Sequence, residues 1–195
     1  MRRRGRLGAA IVSLGAAAVL VPACGGLYPQ EPTCGATNAN ALILTAQAVP
    51  SATLVPCIAE FPSGWSYDGS RIGSGSAQFF LNSDRAGFHA LEITLTGSCD
   101  VSNAVEVTAG PGAIPGVRVY EEPISLPPTF QVNRYLRFPG GCVTNRFRFA
   151  TGAAATLALE AQQALSFVAR SVLVKRAKEE SGLILCGAEA PACPG

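Results

Sequence analysis

Residues 131–149 read QVNRYLRFPGGCVTNRFRF, and how the two halves of this stretch pair decides the fold. Two strand-like runs, Gln131–Leu136 and Val143–Phe149, flank Phe138-Pro139-Gly140-Gly141. Proline presets φ and glycine tolerates positive φ, so the middle is a turn and the whole is a hairpin. Register follows from burial, because a one-residue slip moves every side chain to the other face. Pairing Leu136 with Val143 and Val132 with Phe147 gathers the apolar residues, with Arg134 and Asn145 as the imperfect pair. The opposite face then carries Gln131, Asn133, Tyr135 and Arg137 beside Thr144, Arg146 and Arg148.

Upstream, Ser76–Leu81 and His89–Leu95 form a second hairpin across the turn formers Asn82–Gly87. In the latter strand His89, Leu91, Ile93 and Leu95 fall on one side, with Glu92, Thr94 and Thr96 on the other. Val117–Glu121 is a further short strand, and Pro123, Pro127 and Pro128 rule out regular structure after it. Ala41–Phe61 is apolar and ambiguous. Leu42-Ile43-Leu44 suits a strand, and Pro50, Pro56 and Pro62 forbid one continuous helix. Trp65, the sole tryptophan, is read as a core-edge residue with its N–H satisfied.

Downstream, Ala153–Arg170 has helical spacing, with Leu157, Ala161, Ala164, Leu165 and Val168 on one face. Val172–Ser181 is a second short helix, with Gly182 at its C′ position and Leu183–Leu185 as a closing strand. Strands followed by helices predict an α+β fold. The expectation is a small antiparallel sheet of about five to six strands, a C-terminal helix pair on one face, and disulfide reinforcement.

The N-terminus concerns location. Arg2, Arg3, Arg4 and Arg6 precede an uncharged run from Leu7 to Val21, too short to span a bilayer as a helix. Residues 1–23 are therefore a signal peptide, with an uncleaved anchor as the alternative. Val21-Pro22-Ala23-Cys24 resembles the lipobox of bacterial lipoproteins, although Val21 and Pro22 stand where that family usually has Leu and a small residue. The resemblance implies lipid modification of Cys24. Ordinary cleavage before Cys24 also suits the small-residue rule and would give a secreted protein. The chain has seven cysteines. If Cys24 is lipidated, the remaining Cys34, Cys57, Cys99, Cys142, Cys186 and Cys193 form an even set of disulfide candidates. Six cysteines allow 15 connectivities, among which the sequence does not choose. No Cys-x-x-Cys pair is present, so no metal is expected.

The chain then divides into a tether over 24–40, one α+β domain over 41–185, and a disulfide-held tail over 186–195. Four of the fifteen basic residues lie in the signal, so eleven face thirteen acidic residues in the remainder, a net charge of −2. That excludes the basic footprint of a general nucleic-acid binder.

Three segments, Gly64-Trp65-Ser66, Cys99-Asp100-Val101-Ser102 and Phe138-Pro139-Gly140-Gly141-Cys142-Val143-Thr144, resemble segments of uncharacterised exported and lipid-anchored bacterial proteins from GC-rich genomes. This resemblance spans most of residues 41–182 and implies a single domain without implying an activity.

For chemistry, His89 is the only histidine. A catalytic histidine needs a nucleophile and an orienting acid. Ser83 and Asp84 are its sequence neighbours, but no nucleophile elbow stands in a strand-to-helix context. Asp68, Asp84, Glu92, Glu121 and Glu122 are available for paired-carboxylate hydrolysis, with nothing to single out two. No phosphate-binding loop, dinucleotide fingerprint or calcium loop occurs, so no cofactor is expected. The candidate binding face is Tyr135, Arg137, Arg146 and Arg148, whose forked donors suit an anionic envelope polymer, a headgroup or an acidic membrane-protein partner. The expected protein is a lipid-anchored, extracytoplasmic binding domain on the outer face of the cell membrane. The alternative is an envelope hydrolase.

Overall fold

The computed structural model describes residues 30–35, 39–110, 113–125, 128–149, 154–188 and 190–193. The signal, Val21–Cys24 and most of the tether lie outside these. The hairpin forms as expected. β7 (Phe130–Phe138) pairs antiparallel with β8 (Gly141–Phe149), with Leu136 opposite Val143, Val132 opposite Phe147 and Arg134 opposite Asn145. Gly140 has φ 71°, and a Cβ there would strike the Ser51 carbonyl. Thr53 Oγ1 donates to the Pro139 carbonyl at 2.9 Å, which docks the turn on the segment after the first helix.

β3 (Ser76–Ser83) and β4 (Gly87–Thr96) form the other expected hairpin. The strands β2 (Trp65–Gly73), β5 (Val105–Val107) and β6 (Arg118–Ser125) complete a seven-stranded antiparallel sheet. Its order is β2-β3-β4-β8-β7-β6-β5. Two meanders, β2-β3-β4 and β5-β6-β7-β8, are thus joined side by side through β4 and β8. The central strands carry the core. Leu91, Ile93 and Leu95 are fully buried, against Phe79, Val143 and Phe147. Each such side chain contributes about 1.5–3 kcal/mol.

A two-stranded sheet pairs β1 (Leu54–Ile58) with β9 (Leu165–Ala169). Three helices complete the described fold: α1 (Asn40–Ala48), α2 (Ala154–Gln163) and α3 (Arg170–Ser181). α2 lays Leu157, Ala158 and Ala161 on the large sheet's core. α1, β1 and α3 enclose a second core around Leu42, Ile43, Val55, Leu173 and Ala177.

Several expectations are corrected. The main sheet has seven strands, with two more beside it, so it is larger than the expected five to six. Leu42–Leu44 is helical. The long C-terminal helix stops at Gln163, and Leu165-Ser166-Phe167-Val168-Ala169 is a strand that separates α2 from α3. Aromatic and β-branched residues there pair with β1, and tertiary pairing overrides helical spacing. β6 runs through Pro123, which is paired with Val132. β5 ends its pairing at Glu121, so Pro123 owes no N–H on that side. Leu183–Leu185 forms no strand, although Leu185 is buried. Gly182 ends α3 with φ 68°, its N–H on the Lys178 carbonyl at 3.1 Å, as expected. Trp65 is buried, but its Nε1 has no partner among the described residues.

The six candidate cysteines form Cys34–Cys57, Cys99–Cys142 and Cys186–Cys193. Cys34 pins the tether's far end to β1, where Cys34 N–H also bonds the Ile58 carbonyl. The tail is held by more than its disulfide. Ala188 N–H bonds the Pro50 carbonyl at 2.8 Å.

Arg170 is fully buried. Its Nη1 donates to the carbonyls of Ala46 at 2.7 Å and Val49 at 3.3 Å, and its Nη2 to that of Cys186. Arg170→Leu should cost about 3 kcal/mol, from carbonyls left without donors. Urea denaturation of the two chains checks it. An unchanged midpoint would remove Arg170 from its structural role.

Candidate functional site

The face of the large sheet opposite the core is an ordered lattice of polar side chains. Direct register places Glu92, Arg146, Asn133 and Glu122 in one row across β4, β8, β7 and β6. The next row holds Gln78, Thr94, Thr144, Tyr135, Tyr120 and Glu106. A third holds Ser76, Thr96, Cys142, Arg137 and Arg118. Strand alternation therefore brings Tyr135, Arg137, Arg146 and Arg148 to one face, as expected, but spreads them along it.

Cross-strand pairing uses part of this set. Arg146 Nη1 donates to Glu92 Oε1 at 3.1 Å, and Gln78 Nε2 donates to the same oxygen at 2.6 Å. Tyr135 donates its hydroxyl to Glu122 Oε2 at 2.5 Å, with Asn133 Nδ2 on that oxygen at 3.1 Å. These donors hold the Glu122 carboxyl below its ordinary range, Tyr135 contributing most. Burial, and then the same carboxylate, push the Tyr135 hydroxyl up, so it stays a donor.

Arg118 grips Glu106 with Nε at 3.0 Å and Nη2 at 2.5 Å. Its Cζ lies 5.5 Å from the Tyr120 ring centroid, and that of Arg137 lies 6.0 Å away. Arg137 and Arg148 are exposed and make no ion pair among the described residues. They stand at opposite ends of the hairpin, Arg137 beside Cys142 and Arg148 beside Gln131. Glu121 belongs to the other face, where it pairs with Arg134 at 2.6 Å.

His89 departs from its expected place. It does not join Leu91 and Ile93 on the apolar side. Its φ is 46°, the left-handed region, and its Nε2 lies 2.7 Å from Asp68 Oδ2. Asn82 Nδ2 donates to Asp68 Oδ1 at 3.1 Å, and Asn82 Oδ1 accepts the His89 N–H at 2.8 Å, closing a ring of contacts. Asp68 reaches this position because it is the extra residue of a bulge between Tyr67 and Gly69. Glycine within a strand is the sequence sign of such a bulge. Ser83 is not offered to His89, since its Oγ accepts the backbone N–H groups of Arg85 and Ala86. Asp84 lies at the exposed hairpin tip, 3.6 Å from Arg85 Nε.

A groove of about 320 Å³ lies between α1 and β2, lined by residues that include Ile43, Leu44, Ile72 and Leu183. Neither His89 nor any of the five candidate carboxylates lines it. Among the described residues, no group of three His, Cys, Asp or Glu is placed to hold a metal ion.

No family model matches the chain, and no curated protein matches it. A crystal structure of a protein from Bacteroides thetaiotaomicron VPI-5482 is similar at 13% identity and a TM-score of 0.33, over 69% of this chain. The matched part spans 61% of that protein's length. Likeness at this level carries no argument about fold or function.

Removing the Tyr135 hydroxyl should produce a pH-dependent loss. A depressed carboxylate contributes stability above its unfolded pKa, near 4.3 for Glu, and loses it as pH falls through the folded value. Tyr135→Phe should therefore be less stable than the parent at pH 7 and converge on it as pH falls below the unfolded value and through the lower folded value of Glu122. Urea midpoints across pH check this, and a difference independent of pH would sink it.

Proposed function

We propose that the chain is an exported, lipid-anchored domain of the bacterial envelope that acts by binding, and that the outer face of its large sheet receives an anionic component. One observation carries the binding part. Arg137 and Arg148 are exposed cations, without ion pairs among the described residues, on a face where Arg146 and Arg118 are already paired with Glu92 and Glu106. An available guanidinium above a fixed polar lattice is suited to carboxylate or phosphate.

Three disulfides support an oxidising compartment, since such bonds are rare where thiols are kept reduced. Among the described residues no helix is long and apolar enough to cross a membrane, and in this reading the anchor is the lipid on Cys24. The pairing of six cysteines leaves Cys24 as the odd one, which suits lipidation.

A hydrolase built on His89 has the Asp68 contact in its favour. It wants a nucleophile. Among the described residues no hydroxyl or thiol is bonded to the imidazole, and Ser83 serves the turn. The binding reading is therefore preferred.

Two measurements test it. Cys24→Ser should move the protein from the membrane fraction to the soluble fraction and abolish lipid labelling; retention on membranes would instead favour an uncleaved anchor. Replacing Arg137 and Arg148 together with Ser should lower co-sedimentation with envelope fragments about tenfold at low salt, with an unchanged melting temperature. Undiminished co-sedimentation would remove the sheet face from the proposal.

A further inference from the structure

Phe88, His89, Phe80 and Arg71 form one continuous stack. The His89 ring lies 3.8 Å from the Phe88 centroid at 21° and 4.3 Å from the Phe80 centroid at 18°. Two rings stacked on one imidazole at these distances must take its opposite faces. Phe80 then meets the Arg71 guanidinium, 4.9 Å from its centroid. Phe80 is 1% exposed and Phe88 is 72% exposed. The stack is thus closed by a cation at one end and open to solvent at the other.

The stack depends on an unfavourable backbone. A non-glycine residue seldom adopts φ 46°. With ordinary strand geometry His89 would follow Leu91 and Ile93 to the core side. Here β4 is irregular, its pairing with β3 jumping from Leu81–Leu91 to Ser83–Gly87, and the Asp68–Asn82 ring of contacts holds His89 between the two phenylalanines. Strain maintained by surrounding structure is a sign of a preorganised site. Beneath the exposed ring, then, lies a fixed imidazole whose position the neighbouring strands determine.

The same end of the face carries Arg148, a cation without an ion pair among the described residues. β4 and β8 pair as far as Leu91 and Phe147, and Arg148 is the next residue of β8, at the end of the pairing towards which Phe88 lies on β4. An aromatic face is electronegative, so it receives an electropositive apolar surface. The C–H face of a pyranose is one. A nucleic-acid base also stacks on such a platform, but the net charge of −2 outside the signal gives no basic footprint for its backbone.

We infer that the open face of Phe88 is a stacking platform for a saccharide ring bearing an acidic group, with Arg148 taking the anion. The inference rests on the reading of this face as an anion-binding surface and names its ligand class.

The test uses the full-length chain in detergent, titrated calorimetrically with trigalacturonate and with its methyl ester. The parent should bind the acid at least tenfold more tightly than the ester. Phe88→Ser should lose binding of both, and Phe88→Trp should retain it. Arg148→Ser should bind the acid no better than the ester. His89→Gly accepts the same φ and removes the middle of the stack. It should weaken both ligands several-fold without lowering the melting temperature, which separates preorganisation from misfolding. If Phe88→Ser binds like the parent while Arg148→Ser is weak, the platform is overturned and the arginine reading stands. If the parent binds neither sugar at millimolar concentration, the saccharide assignment is overturned, and co-sedimentation with envelope fragments still reports separately on the face.

Discussion

Arg170 is a buried cation with no carboxylate in contact among the described residues, and the arrangement of the smaller half of the molecule turns on it. Its fork reaches the C-terminal end of α1 at Ala46 and Val49 and the tail at Cys186. Those α1 carbonyls belong to the class that a helix end leaves without internal donors, and a planar guanidinium with five N–H groups can serve several at once. Burial pushes its pKa down, but arginine starts so high that the charge persists. The Arg170 N–H also bonds the Thr53 carbonyl at 2.8 Å. One residue thereby joins α1, the segment leading into β1, α3 and the tail. Lysine has one nitrogen and no fork, and does not substitute.

The segment that Arg170 fixes is also where the two sheets meet. Ala48 accepts the Gly75 N–H from the β2–β3 turn at 2.8 Å, and Thr53 holds the β7–β8 turn at Pro139. Turns of both meanders are therefore tied to residues 48–53. This leaves the far ends of β4 and β8, with Phe88 and Arg148, away from the tie. The outer face is stiffened by other means. Cys99–Cys142, whose Cys142 belongs to this face, closes a 43-residue separation, a constraint on the unfolded chain of about 4 kcal/mol in the chain-entropy picture. The Glu92 and Glu122 networks join neighbouring strands through side chains.

What the sequence made legible was local and strongly patterned. The 131–149 register could be read because one face had to collect Val132, Leu136, Val143 and Phe147. The 76–95 hairpin was plain from alternation and turn formers, and the end of α3 from one glycine. Longer-range competition hid the rest. Leu165–Ala169 has helical spacing with Leu157 and Ala161, and only the β1 partner makes it a strand. Leu42–Leu44 hides its helical period because Leu44, on the exposed side of α1 with Asn40 and Gln47, is itself apolar, while Leu42 and Ile43 enter the second core. Pro123 looks like a breaker until β5 proves too short to need its N–H.

The candidate face shows the same division more sharply. Its membership followed from alternation, while the availability of each arginine did not. Arg146 is engaged because Glu92 lies directly across from it, a fact of β4–β8 pairing between residues 54 apart. His89 was misplaced for the opposite reason. Alternation sends it inward, but β4 is itself irregular between Gly87 and Leu91, and a bulge 21 residues earlier supplies the carboxylate that meets the displaced ring. A pattern rule assumes that every residue takes the strand's ordinary φ and ψ. Where a contact outweighs that preference, the rule fails, and the failure marks where the fold does something beyond packing. At His89 the strained backbone, the Asp68 contact and the exposed Phe88 ring all converge.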